Sequence, residues 1–286
     1  MSNVVTINKK YSILGEIGHG QFGTVYKGLD KKNNIDVAIK TERSDSPYKL
    51  LKNETTILKY LYDHGCRNIP LVYWYGVFFD ARCLVMTLYE FSMFDYMKDK
   101  ELSIEKVNKI MLSCIEMIES IHNNYVVHRD IKPQNLMFKS GELFFIDFGF
   151  ATFYIDDKTE HLKETGELHS IVGSPKYASI NIHDGHMPGR RDDMISIGYM
   201  YIYFYGRELP WDLLKNDAEL ERENNDIMSL SHYKNLQRKE LKAWENIQVN
   251  CNQINEKIYK YLEYCYKLKY DEKPNYNALS HLFRDV

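Results

Sequence analysis

The run His128-Arg129-Asp130-Ile131-Lys132-Pro133-Gln134-Asn135, followed by Asp147-Phe148-Gly149, gathers almost every polar group needed to move a phosphoryl group from a nucleoside triphosphate to a hydroxyl. That chemistry asks for a carboxylate to orient the acceptor hydroxyl, a cation to neutralise charge on the transferred group, and oxygen ligands to hold magnesium. Asp130, Lys132, and the pair Asn135 and Asp147 fit those roles in that order. His128 by itself would be read as a core histidine. It gains meaning from the identities and spacing around it.

A glycine-rich stretch, Gly18-His19-Gly20-Gln21-Phe22-Gly23, points the same way, but only in context. The pattern G-x-G-x-x-G also serves dinucleotide folds and many ordinary turns. Here Val25 follows in strand-like sequence, then Val37-Ala38-Ile39-Lys40, and no helix opens directly behind the glycines as a dinucleotide-binding unit demands. This resembles the protein kinase arrangement, which implies that amides free of side chains approach the phosphates and that Lys40 would contact the α- and β-phosphates. Such a lysine needs a carboxylate to fix its ammonium, and Glu54 is the candidate. Elsewhere a lysine and a glutamate would be two solvated charges; their places in this template pair them.

These groups need a frame. Residues 11 to 41 alternate apolar and polar positions on either side of the glycines, which predicts a hairpin and a third strand ending at Lys40. A helix is expected from about Pro47 to Tyr62, opened by a proline whose missing N–H costs nothing there. Two further apolar runs, Leu71 to Val77 and Cys83 to Met86, complete a small sheet carrying one helix. After Thr87 the period changes. Val107, Ile110, Met111, Cys114, Ile115, Ile118 and Ile121 share one helical face, with Ser103 placed to cap the helix. The expected class is α+β, a bilobal kinase domain over 11–284: a β-rich N-terminal lobe at 11–86, a hinge at 87–91 and an α-rich C-terminal lobe at 92–284. No internal repeat or low-complexity linker interrupts it.

Composition excludes other classes. With 286 residues, 44% hydrophobic and 27% charged, the chain can bury one sizeable core or two smaller ones. Its net charge of -3 argues against a generally basic nucleic-acid binder. Five scattered cysteines with no CxxC pair suit reduced thiols in a cytosolic or nuclear setting and imply no zinc site. The opening MSNVVTINKKYS lacks a hydrophobic signal core, and the longest apolar stretch, Ile197 to Tyr205, is too short for a bilayer. Secretion and membrane insertion are not expected.

Further residues resemble the casein kinase 1 branch of the eukaryotic protein kinases, with vaccinia-related kinases as the nearest relatives. Where most kinases carry Ala-Pro-Glu, this chain has Gly173-Ser174-Pro175-Lys176-Tyr177-Ala178-Ser179-Ile180-Asn181, then His183, Gly185 and Arg190-Arg191-Asp192-Asp193. Leu209-Pro210-Trp211, Tyr270-Asp271-Glu272-Lys273-Pro274-Asn275-Tyr276 and Leu282-Phe283-Arg284 match as well. The resemblance implies ATP and Mg2+ as cofactors, protein substrates modified on Ser or Thr, and a monomer that needs no loop phosphorylation. It leaves no room for a C-terminal regulatory tail. It places Met86 at the back of the adenine site, the backbone of Thr87 and Tyr89 at the adenine edge, Met137 beneath it, and Ile17, Val25 and Ala38 among the lining residues. Asp95 is placed to meet the ribose or the substrate, although an exposed aspartate at a helix start explains it equally well. Asp193 matches the buried aspartate that braces the catalytic loop.

Two departures stand out. The family's basic stretch after Leu-Pro-Trp is replaced at 216–228 by five acids (Asp217, Glu219, Glu221, Glu223, Asp226) against Arg222, which disfavours anionic peptides. Lys176 remains as an anion contact, with Arg190 and Arg191 as further candidates. Pro188, ahead of the arginine pair, is nearer to the vaccinia-related branch. A catalytically silent scaffold is the main alternative, which loss of Lys40, Asp130, Asn135 or Asp147 would favour; all four are present. A small-molecule phosphotransferase is the other, disfavoured by the Ser-Ile-Asn and Leu-Pro-Trp matches.

Overall fold

In a computed structural model of the chain, residues 5–20, 23–164, 170–213 and 227–284 are described, the side chains of 213 and 227–231 excepted. The chain divides into two compact units: Met1–Met93 with Gln134–Ala151, and Phe94–Pro133 with Thr152–Val286. The N-terminal part is β-sheet and the C-terminal part helical, as the sequence pattern predicts.

In the first unit, β1 (Thr6–Ile7), β2 (Tyr11–Gly20), β3 (Gly23–Asp30), β4 (Ile35–Arg43), β5 (Val72–Phe78) and β6 (Ala81–Thr87) form an antiparallel sheet of order β1-β2-β3-β4-β6-β5. Successive side chains on a strand point to opposite faces, so each inner strand serves two clusters. Val37 and Ile39 join Ile7, Tyr11, Cys83 and Val85 on one face. Ala38 joins Leu84, Met86 and Leu51 on the other, where helix α1 (Leu50–Asp63) packs. Lys40 shares a face with Ala38, two residues before it, and so projects toward that helix.

Helix α1 begins three residues later than the sequence pattern predicts. Pro47 lies in the lead-in rather than the first turn, and the cap residue Lys49 makes no side-chain capping bond. Instead the Leu50 N–H donates to Glu42 Oε1 at 3.0 Å, so a strand carboxylate supplies the acceptor that the helix start lacks. A second sheet of the unit pairs β7 (Phe91–Ser92) with β9 (Leu136–Lys139), and β9 with β10 (Glu142–Phe145).

The second unit takes in most of α2 (Met93–Lys98), then α3 (Ile104–Asn123), α4 (Ile180–His183), α5 (Arg190–Gly206), α6 (Ile227–Leu241), α7 (Trp244–Ile254), α8 (Glu256–Lys267) and α9 (Tyr276–His281). Ser103 caps α3 by accepting from the Lys106 N–H at 3.3 Å, and the whole predicted apolar face of that helix is buried. Each Val, Ile and Met on that face contributes roughly 1.5–3 kcal/mol relative to exposure. Helix α5 is buried nearly all round from Arg190 to Phe204, as expected of a central helix packed by α3 and α8. A two-strand ribbon pairs β8 (Val126–Val127) with β11 (Thr152–Phe153). Among the described residues, no helix is long and apolar enough to cross a membrane.

Candidate active site

In the first unit, β4 and α1 bring together two residues that are far apart on an extended chain. Lys40 Nζ lies 2.9 Å from Glu54 Oε2 and 2.7 Å from Asp147 Oδ1. Burial pushes the Lys40 ammonium toward a lower pKa, but the carboxylates of Glu54 and Asp147 more than offset it, and the group is held above the ordinary lysine value. Burial pushes the Glu54 carboxyl up, and Lys40 draws it back. The result is a fixed cation flanked by two carboxyl groups.

Asn135 and Asp147 leave one end of a hairpin. Leu136 pairs with Phe145 at the last rung of β9 and β10, and the Ile146 N–H donates to Asn135 O at 2.9 Å, continuing the ladder one step further. Asp147 has a φ of 63°, a left-handed backbone that is uncommon for a residue with a side chain. An amide oxygen and a carboxylate are hard oxygen donors. Magnesium binds through one or two protein ligands plus substrate phosphates, so this pair fits it. No cluster of three or more His, Cys, Asp or Glu that could hold a metal occurs among the described residues.

The glycine-rich segment forms the β2–β3 hairpin. Ile17, Gly18, His19 and Gly20 end β2, and Gly23 opens β3, while Gln21 and Phe22 lie outside the described residues. Register shifts between Ile13 and Gly15 and between Glu16 and Gly18 mark the irregular edge of this strand. Gly23 has a φ of 150°, and a Cβ there would lie 1.8 Å from the carbonyl oxygen of Thr41, so only glycine fits this close approach. Val25, Ala38 and Met86 share the sheet face that carries Lys40: Val25 pairs with Lys40 and Ala38 with Met86. The Thr87 N–H is spent on Leu71 O, and Tyr89 stacks on Phe144, the partner of Met137 across the hairpin. Asp95 belongs to the second unit, in the first turn of α2, where it pairs with Lys98 at 2.6 Å.

In the second unit, Asp130 is buried and engaged on both oxygens. Lys132 Nζ lies 2.7 Å from Oδ2, and the Ser174 N–H donates to Oδ1 at 2.9 Å. The same Lys132 ammonium donates to Ser174 Oγ at 2.8 Å. Gly173 makes this approach possible: with φ at 83°, a Cβ would sit 2.3 Å from Arg129 O. The backbone of the 128–135 loop is braced by Asp193, which accepts from the N–H groups of His128 at 2.7 Å and Arg129 at 2.9 Å. His122 Nε2 lies 3.0 Å from the same carboxylate, and its Nδ1 lies 2.7 Å from Tyr276 Oη. Burial would raise the Asp193 carboxyl, but the His122 hydrogen bond and the His128 N–H outweigh it and hold the group below the ordinary carboxylate range. Burial pushes the His122 imidazole below its ordinary pKa, against the opposing pull of Asp193.

A fully buried lysine completes this unit's polar architecture. Lys242 Nζ donates to the carbonyls of Pro175 at 2.8 Å and Ala178 at 2.6 Å, lies 3.0 Å from His183 Nε2, and sits over the Trp211 ring at 4.6 Å. Trp211 Nε1 donates to Lys176 O at 2.8 Å. The segment that carries Ser174 is thus held by its own carbonyls. Burial pushes the Lys242 ammonium well below its ordinary pKa, and that of His183 is pushed down to about 3. Sequence reasoning missed Lys242, because a lysine in the turn after a polar helix carries no local sign of burial; it gives Ser174 only as part of the family match and as a loop acceptor.

The three candidate anion contacts are already engaged. Lys176 pairs with Asp212 at 2.7 Å, Arg190 bonds the Tyr154 hydroxyl and the Asp271 carbonyl, and Arg191 approaches Glu164 at 3.8 Å. The acidic segment from Asn216 to Asp226 lies outside the described residues. The family model for the protein kinase domain matches residues 11–281.

Proposed function

Because the chain belongs to the protein kinase domain family over residues 11–281, we propose that it is an active serine/threonine kinase of the casein kinase 1 type, transferring the γ-phosphoryl of Mg-ATP to protein hydroxyls. The observation that carries this reading is the Lys40 ammonium bridging Glu54 and Asp147 at 2.9 and 2.7 Å, since a silent relative need not keep that contact set intact.

In this reading Asp130 receives and orients the acceptor hydroxyl. Lys132 screens charge on the transferred phosphoryl and Lys40 holds the α- and β-phosphates. Asn135 and Asp147 supply the oxygen ligands for magnesium, which when bound neutralises the phosphates. Gly18 to Gly23 covers the phosphates with backbone amides, and Ile17, Val25, Ala38, Met86, Thr87, Tyr89 and Met137 line the adenine site. The lobe and hinge boundaries expected from the sequence belong to the same proposal, as does Asp95 near the ribose. The casein kinase 1 assignment rests on residues 173–193 and 209–211, and a single-chain enzyme acting on proteins goes with it. All five cysteines are free and buried, which supports a cytosolic or nuclear setting.

Substrate preference follows from charge. With Lys176, Arg190 and Arg191 already engaged and five acids at 217–226, an upstream phosphate gains little. A peptide series with Ser, Thr or Tyr as acceptor, and Ser, Asp or phosphoserine three residues upstream, tests both points. Transfer to Ser and Thr with a gain of less than about threefold from phosphoserine supports the reading. Transfer to Tyr alone, or a large phosphoserine gain that Glu219→Lys/Glu223→Lys leaves unchanged, overturns the corresponding part.

A further inference from the structure

Helix α1 contacts the Asp147-Phe148-Gly149 segment through a residue that takes no part in phosphate chemistry. Asn53 Nδ2 donates to Gly149 O at 3.0 Å and to Ala151 O at 2.8 Å. Two carbonyl acceptors require that the amide present its NH2 group there, and each hydrogen has its own acceptor. Asn53 precedes Glu54, and neighbours on a helix point about 100° apart. One residue therefore reaches the strand lysine while the other reaches the chain beyond Asp147. The contacts close a ring: Lys40 to Glu54, along the helix to Asn53, to Gly149, back two residues to Asp147, and across 2.7 Å to Lys40. The far end of the helix start is pinned by Glu42, whose other oxygen lies 3.3 Å from Arg82 Nη1.

We propose that Asn53 is a positioning residue that locks the segment after Asp147 onto α1, so that the Lys40, Glu54 and Asp147 contacts are preformed without phosphorylation of the loop that follows. Asp147 has a left-handed backbone, a conformation that persists only when its surroundings over-determine it, and the two bonds from Asn53 to the chain just beyond supply that constraint. Elsewhere such order is imposed by a phosphate paired with an arginine. Here a neutral amide already on the helix does it, and loop acceptors such as Thr159, Ser170 and Ser174 are not needed for it; Thr165 lies outside the described residues.

The activity arm of the test rests on the kinase reading; the exchange arm does not. The full chain is expressed with a phosphatase, shown by mass spectrometry to carry no loop phosphate, and compared with Asn53→Leu, close in size but without donors, and Asn53→Gln, which keeps them. Peptide kcat/KM, the KM for ATP and amide hydrogen exchange at Phe148 to Ala151 are measured. Loss of two hydrogen bonds predicts exchange at those amides faster by about tenfold in Asn53→Leu, with α3 unchanged, and a kcat/KM lower by about tenfold. The bare wild type is active, and Asn53→Gln recovers part of both effects. Unchanged exchange in Asn53→Leu overturns the tether, and faster exchange with wild-type kinetics overturns its positioning role. A bare wild type that gains activity only on loop phosphorylation overturns it too. A wild type inactive on every peptide, bare or phosphorylated, with faster exchange in the variant sinks the kinase reading and leaves the tether standing. Should Asn53→Leu not fold, Asn53→Ser carries the same comparison.

Discussion

The backbone N–H of Ser174 donates to Asp130 Oδ1 at 2.9 Å, while the serine hydroxyl accepts from Lys132 at 2.8 Å. Ser174 is therefore bonded to two charged residues of the 128–135 loop, Asp130 and Lys132. Ser174→Ala keeps the backbone bond and loses one acceptor for Lys132. The expected result is a peptide kcat/KM lower by about threefold to tenfold, with ATP binding unchanged. Steady-state kinetics with both substrates varied will show it; equal effects on the KM for ATP would contradict the arrangement.

Lys40→Met and Asp147→Asn each remove a charge from the Lys40, Glu54 and Asp147 set. Turnover should fall by roughly a hundredfold or more, because preorganised charge at developing phosphoryl oxygens is lost. Lys40→Met also leaves Glu54 buried without its cation, so its melting temperature should drop as well. Calorimetry beside the rate assay separates the two effects.

Asp193→Asn puts an NH2 group or a single oxygen where two backbone N–H groups now meet a carboxylate. Leaving a buried donor unpaired costs about 1–3 kcal/mol, so urea unfolding should show a loss of that order or more. Turnover should fall with it, since the loop backbone from His128 to Arg129 is what presents Asp130.

His183 supplies a pH test. Its folded-state pKa of about 3 lies below the ordinary histidine value near 6.5, with burial the main cause and the Lys242 charge next. The unfolded chain then binds a proton that the folded chain refuses, so stability is fully present above about pH 6.5 and is lost as pH falls from there toward 3. At pH 5 the loss is on the order of 2 kcal/mol. His183→Asn cannot titrate, so its urea stability should fall by about that much less than wild type between pH 7 and pH 5. Equal losses would place His183 in a solvated state.

Lys242→Met leaves the carbonyls of Pro175 and Ala178 without a buried donor, but removes a lysine that burial penalises. The two effects oppose each other, and a net loss of about 1–3 kcal/mol is expected. Peptide kcat/KM should fall by about tenfold with the KM for ATP within twofold, because the segment released is the one that carries Ser174.

What was legible in the sequence follows from how local each signal is. The buried face of α3 could be read because Val107 to Ile121 repeat at the helix period, and Ser103 caps it through a bond to a residue three places away. The strand ending at Lys40 could be read as well, but Val37-Ala38-Ile39 is apolar throughout, so its two faces show only in the packing. The start of α1 could not be read, because its acceptor is Glu42 on a strand rather than a cap beside it. Lys242 and Asn53 were invisible for the same reason: their partners, Pro175 and Ala178 or Gly149 and Ala151, are brought to them only by the fold.

The central claim is that Asp130 acts on the acceptor hydroxyl and not on the nucleotide. The most direct measurement is γ-phosphoryl transfer to a Ser peptide by wild type and Asp130→Asn at matched purity, with ATP affinity measured on the same preparations. The account predicts transfer lower by about a hundredfold or more in the variant, with ATP binding within about twofold of wild type. Near wild-type transfer by Asp130→Asn would contradict it.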